Sequence, residues 1–181
     1  MKEIIFAGFG GQGVLTGGLI IADMAAKKGL STVWMPAYGP TMRGGKANCV
    51  VKFGETAEEK VGSPIMEEAD ILVAMNVPSL DYLAFCKPGV KVFANAHAVP
   101  ADYNYPEGTE VTAIDVAELA AQAENIKGQN LVMVGAVVKK CGLFTEAYAE
   151  ESMCKFFAGK GKGRFNDANV AALRLGFAAV S

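Results

Sequence analysis

The chain has 181 residues, half of them apolar, with a net charge of −2. That length supplies one sizeable core and hardly two, and the composition leaves neither a basic face for nucleic acid nor an apolar run of membrane-spanning length. The start, Met1-Lys2-Glu3, enters an apolar stretch without the shape of a signal peptide, so a cytoplasmic protein is expected.

Residues 4–9 (Ile4-Ile5-Phe6-Ala7-Gly8-Phe9) read as a buried strand. Gly8, Gly10, Gly11 and Gly13 fall within six residues, and three of them fit G-x-G-x-x-G. A helix-periodic apolar stretch follows and stops at Lys27-Lys28-Gly29, where cations suit the negative helix end and glycine suits a left-handed cap. Strand, glycine turn and helix make the first half of a nucleotide-binding unit. Residues without Cβ let a ligand approach the backbone, and the free N–H groups at the helix start favour an anion. Alternatively, the glycines serve only to pack the helix on the sheet.

A dinucleotide fold also wants an acid at the end of its second strand to hold the ribose. Residues 31–35 read as that strand and run into Pro36-Ala37-Tyr38. No Asp or Glu lies between Asp23 and Glu55, which counts against an NAD site, and Arg43 has no positional support as an NADP anchor. Residues 36–46 hold two prolines and three glycines and read as a loop, followed by a strand over 47–53. With no helix between them, these two strands cannot make a parallel crossover, so an antiparallel neighbour is expected. Long loops with a fixed cation such as Arg43 carry function more often than cores do. The plainer alternative is a surface loop whose Arg43 caps a carbonyl or pairs a glutamate.

Residues 55–64 are polar and turn-like, and 71–75 are a continuous apolar strand ending at Asn76. Ser79 is expected to cap a short helix through Phe85, and Pro88-Gly89 to turn the chain into a strand over 90–94, ending at Asn95. Asn76 and Asn95 stand where open α/β sheets place ligands, though such amides more often satisfy turn backbone. Residues 98–108 read as a loop and 110–114 as the last strand. Asp115 caps a helix to about Ile126, and Gly128 breaks it. Helices are expected over 130–140, ending at Gly142, and over 145–157; Gly135 and Ala136 would let the first lie close to another element. The alternation of glycine and cations over 159–164 reads first as a flexible linker and second as a phosphate contact. Asn166 is expected to cap a final helix with an apolar stripe of Val170, Leu173 and Phe177. The pattern predicts a single three-layer α/β/α Rossmann-like domain over 1–181, with a mostly parallel but mixed sheet.

Cys49, Cys86, Cys141 and Cys154 form no C-x-x-C pair, and His97 is the one histidine. Metal or iron–sulfur ligation by this chain alone is therefore not expected, and no elbow motif surrounds His97.

Taken together, Gly8-Phe9-Gly10-Gly11-Gln12-Gly13-Val14 and Tyr38-Gly39-Pro40-Thr41-Met42-Arg43-Gly44-Gly45 carry a resemblance. The chain resembles the gamma subunit, or gamma domain, of 2-oxoacid:ferredoxin oxidoreductases, which act on pyruvate, branched 2-oxoacids, 2-oxoglutarate or indolepyruvate. The likeness continues through Ala47-Asn48-Cys49, Gly62-Ser63-Pro64, the run from Ala69 to Asn76 and the run from Asn130 to Ala136. Thr41, Lys46 and His97 depart from the usual pattern and leave the subtype open. The resemblance implies that thiamine diphosphate and the iron–sulfur clusters reside in alpha, beta and delta partner subunits, with ferredoxin reached through the holoenzyme. It implies coenzyme A handled nearby and no cofactor bound by this chain alone. It carries site positions over to Gly8, Gly10, Gly11, Gln12 and Gly13 in the first turn. In the second loop it carries them to Tyr38, Gly39, Pro40, Arg43, Gly44 and Gly45, with Arg43 as the anchoring charge. The competing expectation is a stand-alone nucleotide- or anion-binding protein that uses the first turn.

Overall fold

The computed structural model describes residues 1–39 and 44–180. Two compact units divide the chain, one over Met1–Ala113 and one from Ile114 onward.

The first unit is built on a six-stranded sheet. Its strands are β1 (Lys2–Phe9), β2 (Thr32–Tyr38), β3 (Lys46–Phe53), β4 (Ala69–Ala74), β5 (Cys86–Asn95) and β6 (Glu110–Ile114), in the order β2-β3-β1-β4-β5-β6. β1, β4 and β5 pair in parallel, whereas β3 runs antiparallel to both β1 and β2. The expected mixed sheet is thus present: β3 follows β2 in chain order and pairs with it antiparallel.

Helix α1 (Val14–Lys27) covers one face, above Phe6, Cys49 and Val51. It ends as expected: Gly29 adopts φ 79°, and Leu30 N–H donates to Ala25 O (3.2 Å). The other face carries Ile5, Val50, Leu72 and Val92, packed with Leu80 of the 3₁₀ helix Val77–Phe85 and with Tyr103 and Tyr105 of the loop over 98–108. At the start of β1, the Lys52 ammonium lies fully buried, 3.1 Å from Glu3 and 3.5 Å from Glu67.

Several local expectations are corrected. Pro36, Ala37 and Tyr38 continue β2 rather than open a loop; Pro36 lies opposite Cys49. β2 is an edge strand, where the missing N–H of proline breaks no ladder. Pro88-Gly89 is no turn between elements. It lies inside β5, where an irregularity shifts the register with β4 from Ala69↔Cys86 to Ile71↔Lys91. The cap of the 3₁₀ helix is Asn76, whose Oδ1 accepts from Ser79 N–H (3.1 Å) and Ser79 Oγ–H (2.8 Å). The longer Asn side chain reaches back over the turn, and Ser79 is its buried partner.

The second unit holds α2 (Val116–Gln122), α3 (Gln129–Cys141), α4 (Glu146–Gly159) and α5 (Asn166–Ala178). Asp115 caps α2 through Glu118 N–H, as expected, but α2 stops at Gln122 and Ile126–Gly128 form a 3₁₀ turn. α3 ends at Gly142 in the left-handed conformation. Asn166 does not cap α5: it is the first helical residue, and its Nδ2 donates to Cys154 O (3.2 Å). The stretch over 159–164 is no open linker either. It is a folded helix end followed by a 3₁₀ turn over Gly163–Phe165.

Arg174 of α5 grips Glu150 of α4 through two bonds, Nε to Oε1 (2.8 Å) and Nη2 to Oε2 (2.7 Å). The guanidinium holds the Glu150 carboxyl below its usual range. A depressed carboxylate pKa contributes stability above its unfolded value, near 4.5, and loses it as pH falls through the folded pKa. Arg174→Gln therefore lowers the urea midpoint at pH 7, and the loss shrinks as pH falls and Glu150 takes up its proton; a loss as large in acid as at pH 7 would rule the pair out as the cause.

Candidate functional site

β1 delivers Gly8 and Phe9 to its carboxyl end, and the chain turns there into α1. Gly13 takes the left-handed conformation (φ 73°) directly before the helix, and Gly11 has φ 103°. L side chains rarely adopt such angles, so both positions need glycine. Gly13, the residue before α1, has no side chain with which to cap it, and the first helical N–H groups, at Val14, Leu15 and Thr16, have no intrahelical acceptor.

Gly8 has a different task. A Cβ there would lie 2.7 Å from Gln12 Oε1 and 2.8 Å from Val14 Cγ1, so this glycine permits close packing of turn on strand. Gln12 braces the turn. Its Oε1 accepts from Phe9 N–H (2.6 Å) and Asn76 Nδ2 (3.1 Å), and its Nε2 donates to Met75 O (3.3 Å). Asn76 and Asn95 thus both satisfy local groups: Asn95 Nδ2 donates to Met75 O (3.3 Å), and its Oδ1 accepts from His97 N–H (3.3 Å).

The second glycine motif meets the first. Gly10 N–H donates to Gly45 O (2.9 Å), and Gly44 N–H donates to Gly10 O (3.2 Å). This two-way clasp joins segments more than thirty positions apart and continues the β1–β3 ladder past Phe9↔Lys46. Gly39 lies just beyond β2, exposed, with its N–H donating to Lys46 O (3.4 Å). Pro40 and Arg43, also expected in the site, fall outside the described residues.

A pocket of about 350 Å³ opens beside the clasp. It is lined by Phe9, Gly10, Gly11 and Gly13 of the turn, by Val14, Leu15 and Thr16 at the start of α1, and by Tyr38, Lys46 and Ala47 of the neighbouring strands. Tyr38 is 68% exposed. Lys46 pairs in solvent with Asp81 (3.0 Å). Phe9, Val14, Leu15 and Ala47 make much of the lining apolar, and the helix start from Val14 to Thr16 is part of it. Residue pattern alone does not mark Leu15, Thr16 and Lys46 as pocket walls, because only strand register brings the ends of β2 and β3 to the helix start. The insertion of β3 also moves β2 away from β1 by one further strand spacing, roughly 5 Å. The position from which an acid would hold a ribose beside the glycine turn is therefore taken by a different strand.

Cys49 is buried beneath the helix start, its Sγ–H 3.5 Å from Val14 O, and burial pushes the thiol up to about 12. Cys86 is pushed up to about 11 by the same cause. Neither offers a thiolate at neutral pH. Among the described residues all four cysteines are free, no three His, Cys, Asp or Glu side chains converge on a metal-sized space, and no helix is long and apolar enough to cross a membrane.

Comparison with known proteins places this geometry. Residues 3–179 match the family model for pyruvate ferredoxin/flavodoxin oxidoreductase. The ketoisovalerate oxidoreductase subunit VorA of Methanothermobacter marburgensis is 35% identical over 96% of the chain, and the chain spans 35% of that relative's length. The gamma subunit of a keto/oxoacid ferredoxin oxidoreductase from Geobacter sulfurreducens superposes with a TM-score of 0.81 at 26% identity, covering 99% of this chain and 98% of that one. The 2-oxoglutarate:ferredoxin oxidoreductase of Magnetococcus marinus, solved with 2-oxoglutarate, coenzyme A and succinyl-CoA bound, gives 0.80 at 25% identity, covering 99% of this chain and 31% of that one. The chain belongs to the pyruvate ferredoxin/flavodoxin oxidoreductase family.

Proposed function

We propose that this chain is the gamma subunit of a multisubunit 2-oxoacid:ferredoxin oxidoreductase. The complex converts a 2-oxoacid and the coenzyme A thiol into acyl-CoA and CO₂, releasing a proton and passing an electron pair to ferredoxin. Thiamine diphosphate supplies the decarboxylation chemistry and iron–sulfur clusters the electron path, both from alpha, beta and delta partner chains in the cytoplasm. The two units work as one gamma-type domain, a reading supported by a family match that runs through both.

The observation that carries the reading is the clasp of Gly10 with Gly44 and Gly45, which joins the two family motifs beside a pocket lined by Gly10, Gly11, Gly13 and Tyr38. Donors at the helix start and walls of Phe9, Val14 and Leu15 suit a ligand with an anionic end and an apolar body, as coenzyme A has. Gly8, Gln12 and Gly13 shape the turn, and Gly11 and Tyr38 line the pocket; Gly39, Pro40, Arg43, Gly44 and Gly45 complete the proposed set of positions that meet coenzyme A or a partner chain. The displaced β2 counts against the stand-alone dinucleotide reading.

Gentle purification of the tagged chain from its native cell tests this. Brown material with unlike chains and coenzyme A-dependent dye reduction by a 2-oxoacid is expected. A solitary, colourless chain stabilised by NAD or NADP would overturn the proposal and favour the nucleotide-binding alternative. In the complex, Arg43→Ala is expected to raise the KM for coenzyme A about tenfold or to loosen assembly, the loss typical of one charge-assisted contact. Unchanged coenzyme A kinetics and unchanged assembly would remove the anchoring role of Arg43.

A further inference from the structure

The turn between α4 and α5 carries chemistry that the oxidoreductase reading leaves unused. Lys160, Lys162 and Arg164 alternate with Gly161 and Gly163. The segment is held in place. Gly161 has φ 69° and donates to Ala158 O (2.9 Å), Lys162 N–H donates to Phe157 O (2.8 Å), and Phe165 N–H donates to Lys162 O (3.1 Å). Lys160 Nζ rests 4.2 Å from the centroid of the Phe156 ring, and the Arg164 guanidinium 4.7 Å from that of Phe165. The other cations on these two helices are neutralised, Lys155 by Glu151 and Arg174 by Glu150, and Lys139 of α3 pairs with Glu146. Among the described residues, no carboxylate pairs with Lys160, Lys162 or Arg164. Phe165 is 48% exposed beside them.

We propose that this turn docks a carboxylate-rich face of an unlike protein chain in the same complex; the inference rests on the oxidoreductase reading. An anionic chain presents a local excess of positive charge here, on a backbone already ordered, so little conformational entropy remains to be lost on binding. Arg beside an exposed aromatic ring is the composition of interface anchors. Three cations on a chain of net charge −2 are too few for the phosphate tracking of nucleic acid. A small anion would need a buried polar side chain to fix it, and the turn offers exposed ones.

Carbodiimide coupling of the purified complex, read by mass spectrometry, tests the contact, because it joins a lysine amine to a touching carboxylate. Lys160 or Lys162 is expected to couple to Asp or Glu of an unlike chain, and this yield is expected to fall in about 0.5 M salt as screening loosens the contact. Lys162→Glu with Arg164→Glu is expected to speed dissociation of the complex about tenfold, and Lys162→Arg to leave it unchanged. Coupling only to an added soluble carboxylate, coupling to a second copy of this chain, or unaltered dissociation after charge reversal would each overturn the docking. If unlike chains and 2-oxoacid activity persist in those cases, the docking alone falls. If no unlike chain co-purifies, the oxidoreductase reading falls and takes the docking with it.

Discussion

Gly176→Ala is expected to destabilise the chain by about 2–3 kcal/mol, although helix propensity alone predicts a gain of up to about 1 kcal/mol. The sign is decided by the crossing of α3 and α5. A Cβ at Gly176 would overlap the Val132 carbonyl oxygen and lie 2.9 Å from its carbon and 3.1 Å from Ala136 N. From the other side, a Cβ at Gly135 would overlap Leu173 O and lie 3.2 Å from Gly176 Cα. These are backbone atoms, which cannot swing aside as a side chain can, so the helices must separate along their length and give up packing around Leu173 and Val132. Gly159→Ala is the matched control. That glycine ends α4 with nothing within 4 Å of its would-be Cβ, so the change there is expected to be neutral or mildly stabilising. Urea unfolding of both variants reads the difference. A raised midpoint for Gly176→Ala would show that the helix pair yields without cost.

Lys52→Met removes the counter-charge of Glu3 and is expected to cost about 3–5 kcal/mol, the usual consequence of breaking a buried ion pair from one side. Lys52 is 1% exposed and the Glu3 side chain 8%, whereas Glu67, the second carboxylate near the ammonium, is 66% exposed and can turn to water. Glu3 also accepts from Glu67 N–H (3.0 Å), and its own N–H donates to Asp70 Oδ2 (2.8 Å). The ion pair thus ties β3 to the start of β1, and the two hydrogen bonds tie β1 to the segment entering β4. Adding Glu3→Gln to Lys52→Met is expected to recover most of the loss, because the amide oxygen still accepts from Glu67 while the unpaired charge is gone. A double variant no more stable than Lys52→Met would mean that packing of the lysine stem, not charge, holds this corner.

Local pattern made much of this protein legible. The opening strand, the glycine turn and the first helix follow from residue type alone, because hydrophobic period and left-handed glycines act within a few positions. The antiparallel third strand follows as well, since a connection without a helix cannot reach a parallel neighbour. The two glycine motifs carry the family resemblance without any geometry. Where the reading failed, a neighbour outside the local window made the choice. Pro36 is admitted to a strand because β2 is an edge, and Asn76 displaces Ser79 as cap because its side chain also reaches Gln12. The stretch over 159–164 is ordered because Phe156 and Phe157 offer a ring and a carbonyl to its cations and N–H groups.

From the sequence alone come the fold class, the mixed sheet, the family and the glycine positions of the candidate site, all of which rest on interactions between near neighbours or on motif identity. The tertiary structure alone decided that Gly10 grips Gly44 and Gly45, that Gln12 braces the turn, and that β3 separates β2 from β1. It also decided that Lys52 and Glu3 meet away from water and that α3 and α5 touch backbone to backbone. Each of these joins residues tens of positions apart, and such pairings are set by strand register and helix approach, quantities that no short stretch of sequence encodes.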